Sequence, residues 1–226
     1  MAYRRGEIVP GEWYHCYTRG IDKRTTFENP SDYFRFQDAP YLSNSTANIE
    51  RGKIQHLSHE EILSVERGEP LTAVGAYCLM SNHFHLLLKE ISEGGIAKFM
   101  QKVGTSYTMY FNIKHKRTGG LFVGPFRSRH VADDRYLSTI IPYIHLNPAE
   151  IFESRWKQGI VRDFQNLERK VREYPYSSLP DYQGRQRAEA SIINQKEFED
   201  LLDEKMPSLH KLLPETLAFY KDLDNF

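Results

Sequence analysis

Only two cysteines, Cys16 and Cys78, occur in 226 residues. That is too few for a disulfide framework or for a zinc centre built mainly from thiolates, and both are expected to be reduced. No apolar run approaches the length of a membrane span, and the first seven residues, Met-Ala-Tyr-Arg-Arg-Gly-Glu, lack the apolar stretch of a signal peptide. A cytoplasmic protein with no membrane partner is therefore expected. Internal repeats, low-complexity tracts and a glycine-rich phosphate loop are all absent from the sequence, so no nucleotide cofactor is expected. Net charge is absent too, with 30 basic residues against 30 acidic ones, which argues against a general nucleic-acid binder.

The most telling gap is local. Between Glu93 and Asp133 there is no acidic residue, while Lys98, Lys102, Lys114, Lys116, Arg117, Arg127 and Arg129 all fall there. A charge run is usually a solvated helix face. Here it is interleaved with Phe99, Tyr107, Tyr110, Phe111, Phe122 and Phe126, a mixture suited to phosphates and unstacked bases together. Arg19 and Arg24 flank a second basic loop with Lys23. Lys98, Lys102, Arg127, Arg129, Arg19 and Arg24 are the candidate phosphate contacts.

Residues 13–18 are short and aromatic and close on Arg19-Gly20, as a strand does. Asn29-Pro30-Ser31-Asp32 has the form of a helix start, with Pro40 expected to end or kink that helix early. Residues 43–70 are polar and poorly patterned, an insertion in which Ser58 and Glu61 have capping-box spacing. Two apolar runs, 71–80 and 83–90, separated by Ser81-Asn82, predict a hairpin. After Gly94-Gly95, Ile96, Phe99, Met100, Val103, Tyr107 and Tyr110 recur at helical spacing. A strand over 122–131, interrupted at Gly124-Pro125, and a helix from Asp134 to Leu146 capped by Asp133 or Asp134 complete the pattern. The order is that of an α+β, ferredoxin-like antiparallel sheet with helices packed on one face. Residues 1–150 would form that domain. A mostly helical C-terminal extension would fill 151–226, with helices around 163–173, 195–204 and 208–220.

His83-Phe84-His85 lies in the second strand of the hairpin. Strand side chains alternate, so the two imidazoles share a face while Phe84 takes the other. Two neutral imidazoles are half of a metal site, although a lone His-apolar-His triplet is more often a hydrogen-bonded pair at a sheet rim. Tyr143 and Asn147 are four apart on the Asp134–Leu146 helix and so share one face of it. Singly, Tyr143 reads as a core tyrosine and Asn147 as a helix C-cap before Pro148. Taken with the histidine pair, an amide oxygen and a phenol on one helix face can supply a third ligand and a nucleophile.

The run from Ala76 to Leu88, with Phe99-Met-Gln-Lys102, Tyr107 to Asn112 and Tyr143-Ile-His-Leu-Asn-Pro148, resembles the HUH single-tyrosine transposases, and within them the branch of REP-associated tyrosine transposases. The resemblance covers roughly 10–180. It implies that His83, His85 and Asn147 bind Mg²⁺ or Mn²⁺. It implies that Tyr143 attacks single-stranded DNA at hairpin-bearing ends, leaving a 5′-phosphotyrosine and a free 3′-hydroxyl, and that the protein is a monomer or homodimer. Two imidazoles suit Mn²⁺ better than Mg²⁺ on affinity, so tighter binding of Mn²⁺ is expected. Relatives often carry Phe-Gln-Gly-Arg-Phe-Lys where this chain has Phe122-Val-Gly-Pro-Phe-Arg127, which removes a polar and a basic side chain. Two other readings remain open at this level. One is a metal-dependent hydrolase that activates water, and the other is a non-catalytic nucleic-acid-binding module on a ferredoxin-like sheet.

Overall fold

The computed structural model describes residues 7–47, 49–195 and 197. In chain order the elements are β1 (Trp13–Arg19), α1 (Pro30–Ser43), α2 (Arg51–Ile54), α3 (His59–Ile62), β2 (Thr72–Met80), β3 (His83–Glu90), α4 (Gly95–Lys114), β4 (Arg127–His130), α5 (Asp134–Leu146), α6 (Ala149–Phe152), α7 (Phe164–Arg172) and α8 (Leu179–Tyr182). The strands form one antiparallel sheet in the order β2-β3-β1-β4. The architecture is α+β, as the sequence pattern predicts. Most of the helices expected around 195–204 and 208–220 lies outside the described residues. No helix among the described residues is long and apolar enough to cross a membrane.

Alternation along β3 sorts the molecule into two cores. Phe84, Leu86 and Leu88 pack with Phe36 of α1 and with Ile96, Phe99, Val103 and Tyr107 of α4. Leu87 faces the other way, with Ala76 and Cys78 of β2, and meets Leu137, Ile140, Ile141 and Ile144 of α5. A register shift in β2 between Val74 and Ala76 keeps Ala76, Cys78 and Met80 opposite Leu87, His85 and His83. Helices on one face describes α1 and α4; α5 lies on the opposite face. Helical periodicity shows that a helix has an apolar stripe but not which side of the sheet receives it. Trp156, Leu167, Val171, Tyr174 and Leu179 extend the α5 core, so residues after 150 pack against the sheet domain. The segment around Tyr176 also covers the β2 edge, Leu79 N donating to Tyr176 O at 2.9 Å and Ser178 N to Tyr77 O at 3.0 Å.

Two local expectations need correction. Pro40 lies inside α1, which runs on to Ser43. The following residues are held by tertiary contacts: the Tyr41 hydroxyl donates to Val65 O at 2.9 Å, and the Arg67 guanidinium lies 3.7 Å over the Tyr41 ring. The strand read over 122–131 is reduced to Arg127–His130, with Phe122 making one isolated bridge to Gly20. Gly124 has φ +53° and Pro125 has no N–H to give a ladder, so pairing resumes only beyond them. In the insertion, the capping box forms as spaced, Glu61 N donating to Ser58 Oγ and Ser58 N to Glu61 Oε2 at 2.7 Å.

Candidate active site

The site grows from one face of β1, β3 and β4 at the end of the sheet nearest the β2–β3 turn. Antiparallel register puts Arg19 beside His83 and Tyr17 beside His85, with Arg127 beside Tyr17 and Arg129 beside His15 on the far side of β1. His15, Tyr17 and Arg19 are spaced by two and so share the face of His83 and His85. His83 and His85 line a cavity of about 330 Å³ with Tyr17, Arg19, Lys23 and Arg127. Their rings stand perpendicular, 5.1 Å apart.

Each imidazole has its Nδ1 engaged. His83 Nδ1 is 2.7 Å from Asn82 Oδ1, and His85 Nδ1 is 2.9 Å from His15 Nε2. The amide oxygen can only accept, so His83 carries its proton on Nδ1 in that bond and keeps an Nε2 lone pair. Burial, with Arg19 and Lys157 adding positive charge, pushes His83 down to about 4. Burial, followed by the neighbouring His15 and His83, holds His85 well below the usual histidine range. Both are neutral near pH 7, the form that binds a metal.

α5 lies over this face. Asp133 caps it by accepting from Tyr136 N at 2.7 Å. Its last turn places the Tyr143 ring edge-on to His85, centroids 5.3 Å apart, and to His15, 5.6 Å apart. Tyr143 is only 7% exposed. Asn147 does cap the helix, as its position suggested: Nδ2 donates to Tyr143 O at 2.7 Å and to Ile144 O at 3.4 Å. With its amide nitrogen so used, its oxygen is the atom left to act electrostatically on His83. C-cap and candidate ligand are therefore one conformation of one side chain.

Among the described residues no three His, Cys, Asp or Glu side chains converge as a metal cage. The donor set here is two imidazole nitrogens and one amide oxygen, which leaves positions for water and phosphate oxygens. It fits a divalent cation of the Mg²⁺ or Mn²⁺ class, with Mn²⁺ favoured by the nitrogens.

Of the candidate phosphate contacts, Arg19 and Arg127 line the cavity, and Arg129 shares its strand face while lying 4.8 Å over the Tyr136 ring. Arg24 is exposed just beyond the 3-10 turn Ile21–Lys23. Lys98 and Lys102 are carried on α4, on the other side of the sheet, and Lys102 donates to Ser45 O at 3.0 Å. Sequence reasoning missed His15, Tyr17, Asn82 and the Lys157–Glu150 pair, 3.0 Å apart and felt by His83. The spacing of His15, Tyr17 and Arg19 was visible as a polar stripe, but the β1–β3 register that makes it matter was not.

Comparison with solved structures finds chains of similar fold. A solved REP-associated tyrosine transposase bound to a REP hairpin superposes with a TM-score of 0.52 at 11% sequence identity, over 84% of this chain and 90% of that one. The chain has the fold of a REP-associated tyrosine transposase. No protein-family profile matches the sequence, and no curated protein does. At this identity the likeness is one of fold alone.

Proposed function

We propose that this protein is a metal-dependent single-stranded DNA transposase that nicks and rejoins strands through Tyr143. The observation that carries the reading is the last turn of α5, which brings the Tyr143 ring edge-on to His85 at 5.3 Å, with Asn147 at the C-cap one turn on. A nucleophile and a third ligand thus arrive together over a preformed imidazole pair. The superposed transposase was solved with a REP hairpin, which supports hairpin-bearing DNA as the partner.

His83, His85 and Asn147 would hold the cation, which when bound polarises the scissile phosphate. Tyr143 supplies the attacking oxygen. A phenol with an ordinary pKa of about 10 is a weak nucleophile at neutral pH, so orientation and positive potential have to help it. The Tyr143 oxygen bonds to phosphorus as the bond to the 3′-oxygen breaks; the phenol gives up its proton and the released 3′-oxygen gains one. One phosphodiester replaces another, so the 5′-phosphotyrosine can be resolved by a 3′-hydroxyl without nucleotide hydrolysis. Arg19, Lys23 and Arg127 around the cavity neutralise the backbone on either side of the reacting phosphate.

The test is to incubate the protein with Mn²⁺ and labelled single-stranded DNA carrying a hairpin end. A denaturation-resistant protein–DNA adduct in the wild type, absent from Tyr143→Phe, is expected. An adduct that persists in the variant removes Tyr143 from the role, and cleavage with no adduct in the wild type establishes a water-activating hydrolase instead.

A further inference from the structure

His15 lies diagonally across the β1–β3 ladder from His85, two residues from His85's register partner Tyr17; it is buried, and the two rings stack at 5.1 Å and 20°. Its Nε2 lies 2.9 Å from His85 Nδ1. One proton occupies that contact, and two neutral arrangements satisfy it. In the first, His85 Nδ1–H donates to a bare His15 Nε2, His15 keeps its own proton on Nδ1, and His85 Nε2 has a lone pair for the cavity. In the second, His15 Nε2–H donates to His85 Nδ1, and the proton of His85 sits on Nε2, where it blocks coordination.

The two metal histidines differ in this respect. Asn82 Oδ1 can only accept, so it holds His83 in the ligand tautomer whatever the cavity contains. His15 can play either part. Its Nδ1 is buried with no hydrogen-bond partner among the described residues, so nothing on its far side decides the tautomer. Its orientation is fixed all the same, because Tyr17 stacks on it at 4.8 Å and Tyr143 meets it edge-on.

We propose that His15 is the positioning residue for the cation site: in the loaded protein it accepts the Nδ1–H of His85 and holds that ring with Nε2 aimed into the cavity. This rests on the metal-site reading above and adds a residue to it. Coordination selects the first arrangement for both rings, with no net gain or loss of protons. Outer partners of metal-bound histidines set ring orientation and basicity in just this way.

The experiment uses DNA-free protein. Mn²⁺ affinity is measured by electron paramagnetic resonance for wild type, His15→Phe, His15→Gln and His85→Ala, and the tautomers are read by ¹⁵N–¹H correlation of the histidine rings in Mg²⁺-saturated wild type. His15→Phe keeps a ring but no acceptor and is expected to weaken Mn²⁺ by about 10–100-fold, while His15→Gln, whose amide oxygen reaches the position of Nε2, stays within about threefold of wild type. Both rings are expected to be protonated on Nδ1. Unchanged affinity in His15→Phe, a His15→Gln as weak as His15→Phe, or a His15 protonated on Nε2 in the loaded protein overturns the proposal. Should His15→Phe fail to fold, the glutamine variant and the wild-type spectrum decide. Mn²⁺ binding that ignores His85→Ala rejects the metal site itself, a result distinct from failure of His15 alone.

Discussion

The two faces of the sheet are made of the same strands and do opposite work. On the α1/α4 face, β3 contributes Phe84, Leu86 and Leu88 to a core rich in aromatic rings. On the α5 face the intervening residues are His83, His85 and Leu87, and β1 adds His15, Tyr17 and Arg19. Three of the four strands thus carry polar groups at one end of one face. Burying neutral imidazoles forfeits hydration, so that face is tolerable only where they find hydrogen-bond partners, as His85 does in His15 and His83 in Asn82. One face supplies the stability that lets the other keep buried polar groups.

The largest effect that should separate the faces comes from one substitution in each. Tyr143→Phe removes a single hydroxyl and is expected to abolish the covalent DNA adduct while changing unfolding free energy by no more than ~1 kcal/mol. Phe99→Ala, at a fully buried position in the same core as Phe84, is expected to cost about 3–5 kcal/mol of stability. At temperatures where it remains folded, it should still form the adduct. Denaturant titration alongside the adduct assay tests both, and a Phe99→Ala protein that is well folded but inactive would break the division of labour.

Acid and alkali should attack different regions. Burial holds His145, in the last turn of α5 and bonded to Ser178 Oγ at 2.8 Å, down to about 3. A histidine lowered in the folded state takes up protons on unfolding. Its contribution is therefore complete above the unfolded pKa of about 6.5 and is lost as pH falls from there toward the folded value, by about 2 kcal/mol between pH 6.5 and 5. His59, beside α1, is opposite in sign. Burial alone would lower it, but Asp38 at 2.7 Å and Glu189 at 3.6 Å prevail and raise it to about 9. Its contribution is complete below pH 6.5 and is lost as pH rises through 9. Urea titrations at pH 5, 7 and 9 should show His145→Gln with a smaller acid-side loss than wild type and His59→Gln with a smaller alkaline-side loss.

What the sequence made legible follows from range. That His83 shares a face with His85, and Tyr143 with Asn147, was readable because periods of two and of 3.6 fix which near neighbours lie together. The hairpin at Ser81-Asn82 and the Ser58 capping box were readable for the same reason. His15 was not, because its meaning depends on pairing with a strand 70 residues away, and a single histidine in Trp13–Arg19 looks like any other core residue. Pro40 misled because local propensity was outweighed by contacts of Tyr41 with Val65 and Arg67. Lys98 and Lys102 were grouped with Arg127 by composition, whereas the sheet stands between them. Composition counts charges along the chain but carries no information about sides.

That separation of charges leads to the smallest expected effect and the finest test of the comparison. Arg19 is exposed, lines the histidine cavity and acts electrostatically on His83; Lys98 is exposed on α4. If the DNA strand passes only over the α5 face, Arg19→Ala should lower affinity for single-stranded DNA and flatten the dependence of log K on log salt by about 0.7. Lys98→Ala, with the same loss of one charge, should leave the slope unchanged. Fluorescence anisotropy over a series of salt concentrations measures both. Equal flattening in the two variants would mean that the DNA also runs across α4, and the basic, aromatic segment after Gly94 would then belong to the binding surface as its composition suggested.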